Sequence, residues 1–293
     1  MIRNICIGTA QFGMKYGISN TTGQVKYDEI LSIIDRASNN GIRFYDTAKS
    51  YGSSETIIGQ AFTELGICDI VKCITKIDPD VKDLDELVQQ VLESLENMNI
   101  KQLWGLLTHR AYQSQEPFVL EAISVLKDKQ IIKHFGVSIY DPNDALEAVN
   151  NNNVDIIQVP FNILDRRLID NGFFDLAHKK GKKVFMRSIF LQGLLLLSDQ
   201  QLIEKNFGWV LPYLNDYKKR FHHIGLDCTI NQFAIQAVLQ KFPGYHIIIG
   251  VESTKQLKMN IEAINLTPDK EKAMSWWTNL PLYPDRLLNP TLW

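Results

Sequence analysis

Three strand-like stretches of the sequence end in or near an ionisable residue of a type that handles protons. The second such stretch ends at Asp46, with Tyr51 in the loop behind it. The third ends at Lys76, and His109 follows the fourth. A lysine ammonium lowers the pKa of a nearby phenol from its ordinary value of about 10, and a carboxylate keeps that ammonium charged and oriented. With a histidine to hydrogen-bond a carbonyl oxygen, the set is typical of a site that gives a proton to a carbonyl.

Each of the four residues also has a structural interpretation when taken alone. Asp46 could cap the turn that follows it, and Tyr51 could be a surface aromatic of a loop. Lys76 could be a solvated lysine at a strand end, and His109 a buried histidine with satisfied hydrogen bonds. Their joint placement at consecutive strand ends is what favours chemistry.

Eight short runs rich in β-branched residues alternate with amphipathic helical stretches. The predicted strands cover residues 2–7, 42–46, 69–76, 102–108, 134–138, 155–160, 183–188 and 244–250. The predicted helices cover 27–39, a segment that opens at Ser53 or Ser54, 83–98, 116–129, 143–150, 168–180, two patterns within 194–241, and 254–264. In the tail, 268–280 is predicted helical and 281–293 irregular.

This alternation is typical of a parallel sheet covered by helices, and the count of eight favours an α/β fold of the (β/α)₈ TIM-barrel type. No linker interrupts the pattern, so residues 1–293 are predicted to form a single barrel domain. In such barrels the C-terminal ends of the strands form one mouth. The four candidate residues are therefore expected to meet there.

Composition excludes several other classes of protein. The net charge of −2 gives no basic field for nucleic acid or an anionic membrane. The first residues do not form a signal peptide, and no apolar run reaches the roughly 20 residues of a membrane helix. The four cysteines form no C-x-x-C pair, which fits a reducing cytoplasm. His222 and His223 lack further ligands at metal-site spacing, so no metal is expected.

The segment from Gly41 to Glu55, with Gly59 after it, closely resembles the signature of the aldo-keto reductase family. Shorter segments resemble the family's other strand ends, and they are Thr75-Lys76, Leu107 to His109, Gly136 to Ser138, Gln158 to Asn162, Arg187 to Leu194 and Gly250 to Asn260. The resemblance implies an NAD(P)H-dependent oxidoreductase that reduces a carbonyl to an alcohol. In it Tyr51 is the general acid, Lys76 and Asp46 tune that acid, and His109 orients the carbonyl.

The resemblance also implies a nicotinamide cofactor, with NADPH as the family default and NADH as the alternative. The implied cofactor-binding residues are Gly8, Thr9, Asp46, Ser138, Gln158, Arg187, Ser188, Gly193, Gly250, Ser253, Gln256 and Asn260. Ser138 and Gln158 would hold the nicotinamide carboxamide, Ser188 and Gly193 would lie along the pyrophosphate, and the last three residues would lie near the adenosine.

The sequence departs from the family pattern at three places. Arg187 stands where the family often has an aromatic residue that stacks on the nicotinamide, and Trp104 stands where an aspartate is frequent. We expect a packing role for Trp104. The segment 249–256 has Lys255 as its single basic residue and carries Glu252, although a 2′-phosphate is usually gripped by paired basic residues. This last departure gives NADH weight.

The substrate is expected to be a small aldehyde, ketone or keto-sugar, on a protein that is a monomer or a weak oligomer. The resemblance implies that the C-terminal tail lines the substrate pocket, so Trp276-Trp277, Asp285 and Arg286 are candidate contacts, with packing as the equal alternative for the tryptophan pair. Two other functions stay open. The chain could bind the cofactor as a regulatory or sensing subunit, or Lys76 could form a Schiff base with a carbonyl.

Overall fold

The computed structural model describes residues 2–266 and 269–293, and these form a closed barrel of eight parallel strands. The strands are β1 Ile5–Gly8, β2 Phe44–Asp46, β3 Lys72–Lys76, β4 Leu103–Thr108, β5 Ile132–Ser138, β6 Ile156–Pro160, β7 Lys183–Arg187 and β8 His246–Gly250. Each strand pairs with the next along the chain, and β8 closes the ring on β1 through Gly8 and Gly250. The predicted barrel is confirmed.

Helices follow the strands around the outside of the barrel. They are α1 Ala10–Gly13, α2 Tyr27–Asn39, α3 Ser54–Glu64, α4 Leu84–Met98, α5 Pro117–Asp128, α6 Pro142–Asn150, α7 Arg167–Asp170, α8 Phe173–Lys179, α9 Asp199–Glu204, α10 Leu211–Ile224, α11 Ile230–Lys241, α12 Thr254–Asn265, α13 Lys270–Thr278 and α14 Asp285–Leu288. The buried stripe of α2, namely Ile30, Ile33, Ile34 and Ala37, has the spacing that predicted this helix with the same bounds.

Several elements differ from the sequence-based predictions, and the stretch 281–293, predicted to be irregular, contains the helix α14. The predicted helix 168–180 is two helices, because Gly172 adopts a left-handed conformation (φ +75°) between them. Residues 2–4 form a 3₁₀ turn rather than the start of β1. The helix α1 was not predicted, and the stretch 194–241 holds three α-helices instead of two. The predicted tail helix begins at Pro268, which lies outside the described residues, and the helix observed there is α13.

Side chains fill the interior of the barrel. The residues are Cys6, Phe44, Ile74, Leu107, Ile156, Phe185 and Ile248. Trp104 packs against this layer, with its ring 4.7 Å from that of Phe44 and 5.7 Å from that of Phe185. The packing role predicted for Trp104 is confirmed. A filled barrel leaves no pore, so the chemistry must take place at the C-terminal mouth.

Among the described residues, no helix combines the length and the apolar character that crossing a bilayer requires.

Candidate active site

A buried ion pair lies at the C-terminal mouth of the barrel, where β2 and β3 end side by side. Lys76 Nζ donates to both carboxylate oxygens of Asp46, at 2.8 and 3.0 Å, and to the carbonyl of Thr47 at 2.8 Å. Lys76 is 2% exposed and Asp46 4%. Burial by itself lowers the pKa of Lys76, but Asp46 and Tyr51 outweigh it and raise that pKa to about 12. Lys76 therefore stays protonated at neutral pH, and its hydrogen bonds hold the ammonium in one position.

The amide of Gln158, in the middle of β6, holds the carboxylate from the opposite side of the barrel. Its Nε2 donates to Asp46 Oδ1 at 2.7 Å, and its Oε1 accepts from Ser138 Oγ at 3.3 Å. Gln158 is fully buried and Ser138 is 2% exposed. Both polar atoms of the amide thus have partners within the protein.

Tyr51 lies over the ion pair, in the loop between β2 and α3. Lys76 Nζ is 5.0 Å from the centroid of the Tyr51 ring. The loop is held by close backbone packing, because a Cβ on Gly13 would collide with the Tyr51 carbonyl and one on Gly52 (φ +58°) with Gly13. These two glycines therefore allow the loop that carries Tyr51 to pack closely against α1.

The pKa of Tyr51 differs from the expectation. Burial raises the pKa of Tyr51 above its usual value, and the lowering effect of Lys76 does not offset it. The prediction that the ammonium brings this pKa down was wrong for the net effect, because desolvation of the phenolate is the larger cause. The phenol consequently stays protonated at neutral pH, as a proton donor must.

His109 follows β4 on the same rim and is half-buried. Its Nε2 lies 3.3 Å from Ser50 Oγ. Burial, assisted by the charge of Lys76, lowers the pKa of His109 to about 4. The imidazole is neutral at physiological pH and can hydrogen-bond an oxygen without adding charge.

An open cleft extends from Tyr51 across the ends of β1, β7 and β8. The predicted residues that line it are Gly8, Thr9, Asp46, Tyr51, Arg187, Ser188, Gly193, Gly250 and Gln256. Ser138 and Gln158 do not line it, because Gln158 donates to the Asp46 carboxylate and Ser138 donates to Gln158. Lys76, His109, Ser253 and Asn260 are not among the lining residues. The structure thus gathers most of the predicted set around one cleft.

The cleft also includes residues that the sequence did not single out, chiefly Gln11, Tyr16, Ser19 and Gln192. They come from the loops after β1 and β7. The sequence feature that could have indicated Tyr16 is its place in the loop that follows Gly8 and Gly13. Tyr16 adds a second phenol to the cleft, near that of Tyr51. Burial raises the pKa of Tyr16 as well, with Tyr51 as the next cause.

Arg187 ends β7 with its guanidinium carbon 4.4 Å from the centroid of the Tyr140 ring. Its Nη2 donates to the carbonyl of Ile139 at 3.0 Å. The described residues place no carboxylate within ion-pair distance of it. This end of the cleft therefore carries a positive charge that a ligand can use.

At the β8 end of the cleft, the predicted adenosine residues are engaged with the protein itself. Ser253 caps α12, with its Oγ accepting from the Gln256 amide at 3.2 Å. The side chain of Gln256 accepts from the Glu252 amide at 2.7 Å. Asn260 is a half-buried residue further along α12.

The described part of the tail packs on the outside of the barrel, away from the cleft. Trp276 Nε1 donates to the carbonyl of Ile163 at 2.9 Å, and Trp277 is 5% exposed. Asp285 pairs with Arg167, and Arg286 lies 4.4 Å from the ring centroid of Trp209. The cleft is bordered instead by the loop after β7. The packing therefore does not support the expectation that the tail shapes the substrate pocket, because its apolar face is buried elsewhere.

No group of three or more His, Cys, Asp or Glu residues with metal-binding geometry occurs in residues 2–266 and 269–293.

Comparison with known proteins places this geometry in context. Residues 4–278 match the model of the aldo/keto reductase family. The chain is 27% identical over 282 residues to the uncharacterized oxidoreductase YqkF of Bacillus subtilis, covering 87% of this chain and 90% of that protein. It is 26% identical over 281 residues to the NADH-specific methylglyoxal reductase of Escherichia coli, with 83% of each chain covered. The structure of aldo-keto reductase AKR11C1 from Bacillus halodurans superposes with a TM-score of 0.74 at 20% identity, covering 95% of this chain and 92% of that one, and so shares the fold.

Proposed function

The chain belongs to the aldo/keto reductase family, and from this membership we propose that it reduces a small carbonyl compound to an alcohol with a reduced nicotinamide cofactor. The observation that carries the proposal is the Tyr51 phenol held over the buried Lys76–Asp46 pair at the mouth of the barrel. The Escherichia coli relative, named for the reduction of a small dicarbonyl, supports this class of substrate.

The cleft fits an elongated dinucleotide. Gly8, Gly193 and Gly250 line it, so the ligand can approach the backbone closely. In the loop after β7, Ser188, Leu191 and Gln192 have φ of +64°, +48° and +54°. Left-handed conformations cost non-glycine residues free energy, and such residues cluster at ligand sites. Arg187 and Ser188 would hold the phosphates, and the cofactor would supply a hydride to the carbonyl carbon when bound.

The residues of the chain handle the proton and the charge. As negative charge develops on the carbonyl oxygen, the Tyr51 hydroxyl gives its proton to that oxygen, and the Lys76 ammonium stabilises the phenolate left behind. The Asp46 carboxylate keeps Lys76 in place. Neutral His109 donates a hydrogen bond that orients the carbonyl. Water then restores the proton to Tyr51.

The two other functions left open by the sequence receive less support. A Schiff base needs a free lysine amine, whereas Asp46 and Tyr51 raise the pKa of Lys76 to about 12. A purely sensing subunit would have no use for a complete proton-donating set. The tail, which was expected to line the substrate pocket, packs away from the cleft. The proposal therefore stays with small carbonyl compounds as the substrate class.

The sequence resemblance alone would suggest NADPH as the cofactor. We instead favour NADH. Glu252 lines the cleft at its β8 end, where a 2′-phosphate would meet a carboxylate. The NADH-specific name of the Escherichia coli relative agrees with this preference.

The proposal is tested by titrating the purified protein with NADH and NADPH, followed by turnover assays. Quenching of tryptophan fluorescence reports binding, and the decay of the nicotinamide absorbance with methylglyoxal, simple aldehydes and keto-sugars reports reduction. We expect binding and turnover on at least one small carbonyl. Failure of both nucleotides to bind would contradict the proposed function.

A further inference from the structure

A glutamate from another helix occupies the start of α12, next to the cleft-lining residues Glu252 and Gln256. Glu29 Oε1, from α2, accepts from the Thr254 amide at 2.5 Å and from the Thr254 hydroxyl at 2.9 Å. Thr254 is the first residue of α12. The first amides of a helix, with the positive end of its dipole, are the groups that normally bind a phosphate. Here a carboxylate of the chain uses the first of them.

The neighbouring amides are used in the same way. The Gln256 amide donates to Ser253 Oγ at 3.2 Å, and the Glu252 amide donates to Gln256 Oε1 at 2.7 Å. Three donors that could face an anion at this end of the cleft therefore already have oxygen acceptors from the protein. An incoming phosphate would have to displace them.

The charges at this place add to the effect. Glu29 and Glu252 both lie at the start of α12, and Lys255 is the single basic residue of the segment 249–256. Of the two, Glu29 is the one whose carboxylate contacts the first amide of the helix, at Thr254. A doubly charged phosphate would be repelled here, whereas a ribose hydroxyl would find carboxylate acceptors.

We propose that Glu29 is a specificity-determining residue that excludes the 2′-phosphate of NADPH and makes NADH the cofactor. This rests on the proposed function, since it requires the reactive ring at Tyr51 and the adenosine at the opposite, β8 end of the same cleft. TIM barrels often place phosphate groups at the loops after strands 7 and 8, and this chain has closed that position with its own carboxylate.

The test compares the affinities of NADH and NADPH for the wild type and for Glu29→Gln. Glutamine keeps an oxygen for the Thr254 donors and removes the charge. Glu262→Gln is the control. Glu262 is an exposed glutamate of α12, the helix that Glu29 contacts, and it lies 3.8 Å from Lys258. Its replacement changes the net charge of the protein by the same amount as Glu29→Gln. Dissociation constants are measured by fluorescence titration at low ionic strength, without any substrate.

We expect the wild type to bind NADPH at least about tenfold more weakly than NADH, a difference of about 1.4 kcal/mol. Glu29→Gln should tighten NADPH by about tenfold and change NADH by less than about twofold, while Glu262→Gln leaves the ratio unchanged. In the wild type, added salt should narrow the difference between the two nucleotides, because charge repulsion is screened.

Equal affinity of the wild type for both nucleotides, or a ratio that Glu29→Gln leaves unchanged, would overturn the role of Glu29 while the proposed function stands. A ratio that does not respond to salt would also contradict it. Binding of neither nucleotide would instead overturn the proposed function and this assignment with it.

Discussion

Gln158 donates a 2.7 Å hydrogen bond to Asp46 Oδ1, the same carboxylate oxygen that accepts the Lys76 ammonium at 2.8 Å. The resemblance to known reductases assigned Gln158 to the cofactor, but the structure joins it to the residues beneath Tyr51. With its Oε1 on Ser138, the amide fixes the direction of the carboxylate. We therefore expect Gln158 to position the ion pair, in addition to any contact with a cofactor.

Replacing Gln158 with leucine should lower kcat by about tenfold or more. The variant loses a hydrogen bond to a buried carboxylate, which contributes about 1.5–3 kcal/mol, and with it the fixed direction of Asp46 beneath Tyr51. Gln236→Leu is the matched control. Gln236 is also fully buried and donates to the carbonyls of Ala263 and Ile264, but it lies away from the cleft. Its replacement should lower the free energy of unfolding and leave kcat unchanged. Equal effects of both variants on kcat would assign Gln158 a merely structural role.

Lys76→Met should destabilise the protein by about 3–5 kcal/mol, because it leaves the Asp46 carboxylate buried without its cation. The double variant Asp46→Asn with Lys76→Met should recover most of that stability, since no isolated charge remains. Neither variant should reduce carbonyls at more than about a hundredth of the wild-type rate. Urea unfolding measures the effect on stability, and kcat measures the effect on catalysis. A Lys76→Met variant as stable as the wild type would contradict the stabilising role assigned to the ion pair.

The raised pKa of Tyr51 predicts the pH dependence of the reaction. A group whose pKa lies above its usual value of about 10 keeps its proton through neutral pH, so kcat for reduction should be flat from about pH 6 to about pH 9. The reverse oxidation needs the phenolate and should become faster as pH rises. Rate profiles in both directions check this, and a reduction rate that falls with a midpoint near pH 7 would contradict it.

Three histidines make stability depend on pH. Burial lowers the pKa of His109, His134 and His246 to about 4, whereas the unfolded chain binds protons with a pKa of about 6.5. The unfolded state therefore holds more protons below that value, and stability is fully present above it and lost as pH falls towards 4. Urea unfolding at pH 7, 6 and 5 should show a declining free energy. A flat or rising trend would be inconsistent with neutral buried imidazoles.

The positions of the candidate residues in the barrel could be predicted from the sequence because strand ends are local features. The predicted strands end at Asp46, Lys76 and Ser138, where the runs of β-branched residues stop. The observed strands β2, β3 and β5 end at the same residues. Once the barrel closes, consecutive ends share one mouth, so the types of residue at those ends define the site. The same periodicity gave α2 its bounds.

Contacts between distant segments carried no such signal. Glu29 meets Thr254 across 225 positions, and Gln158 meets Asp46 across 112. The net pKa of Tyr51 depends on how far the fold removes it from water, and periodicity cannot show that. The break at Gly172 and the packing of Trp276 on Ile163 likewise depend on tertiary contacts that override local preference.

The most direct test of the central claim compares Tyr51→Phe with Tyr16→Phe, because both phenols line the same cleft. Each variant loses one hydroxyl, and nucleotide titration confirms that the cleft is intact. The account predicts that Tyr51→Phe binds NADH like the wild type but reduces carbonyls about 10²- to 10⁴-fold more slowly, while Tyr16→Phe stays within a few-fold of the wild type. Full reductase activity of Tyr51→Phe would contradict the account.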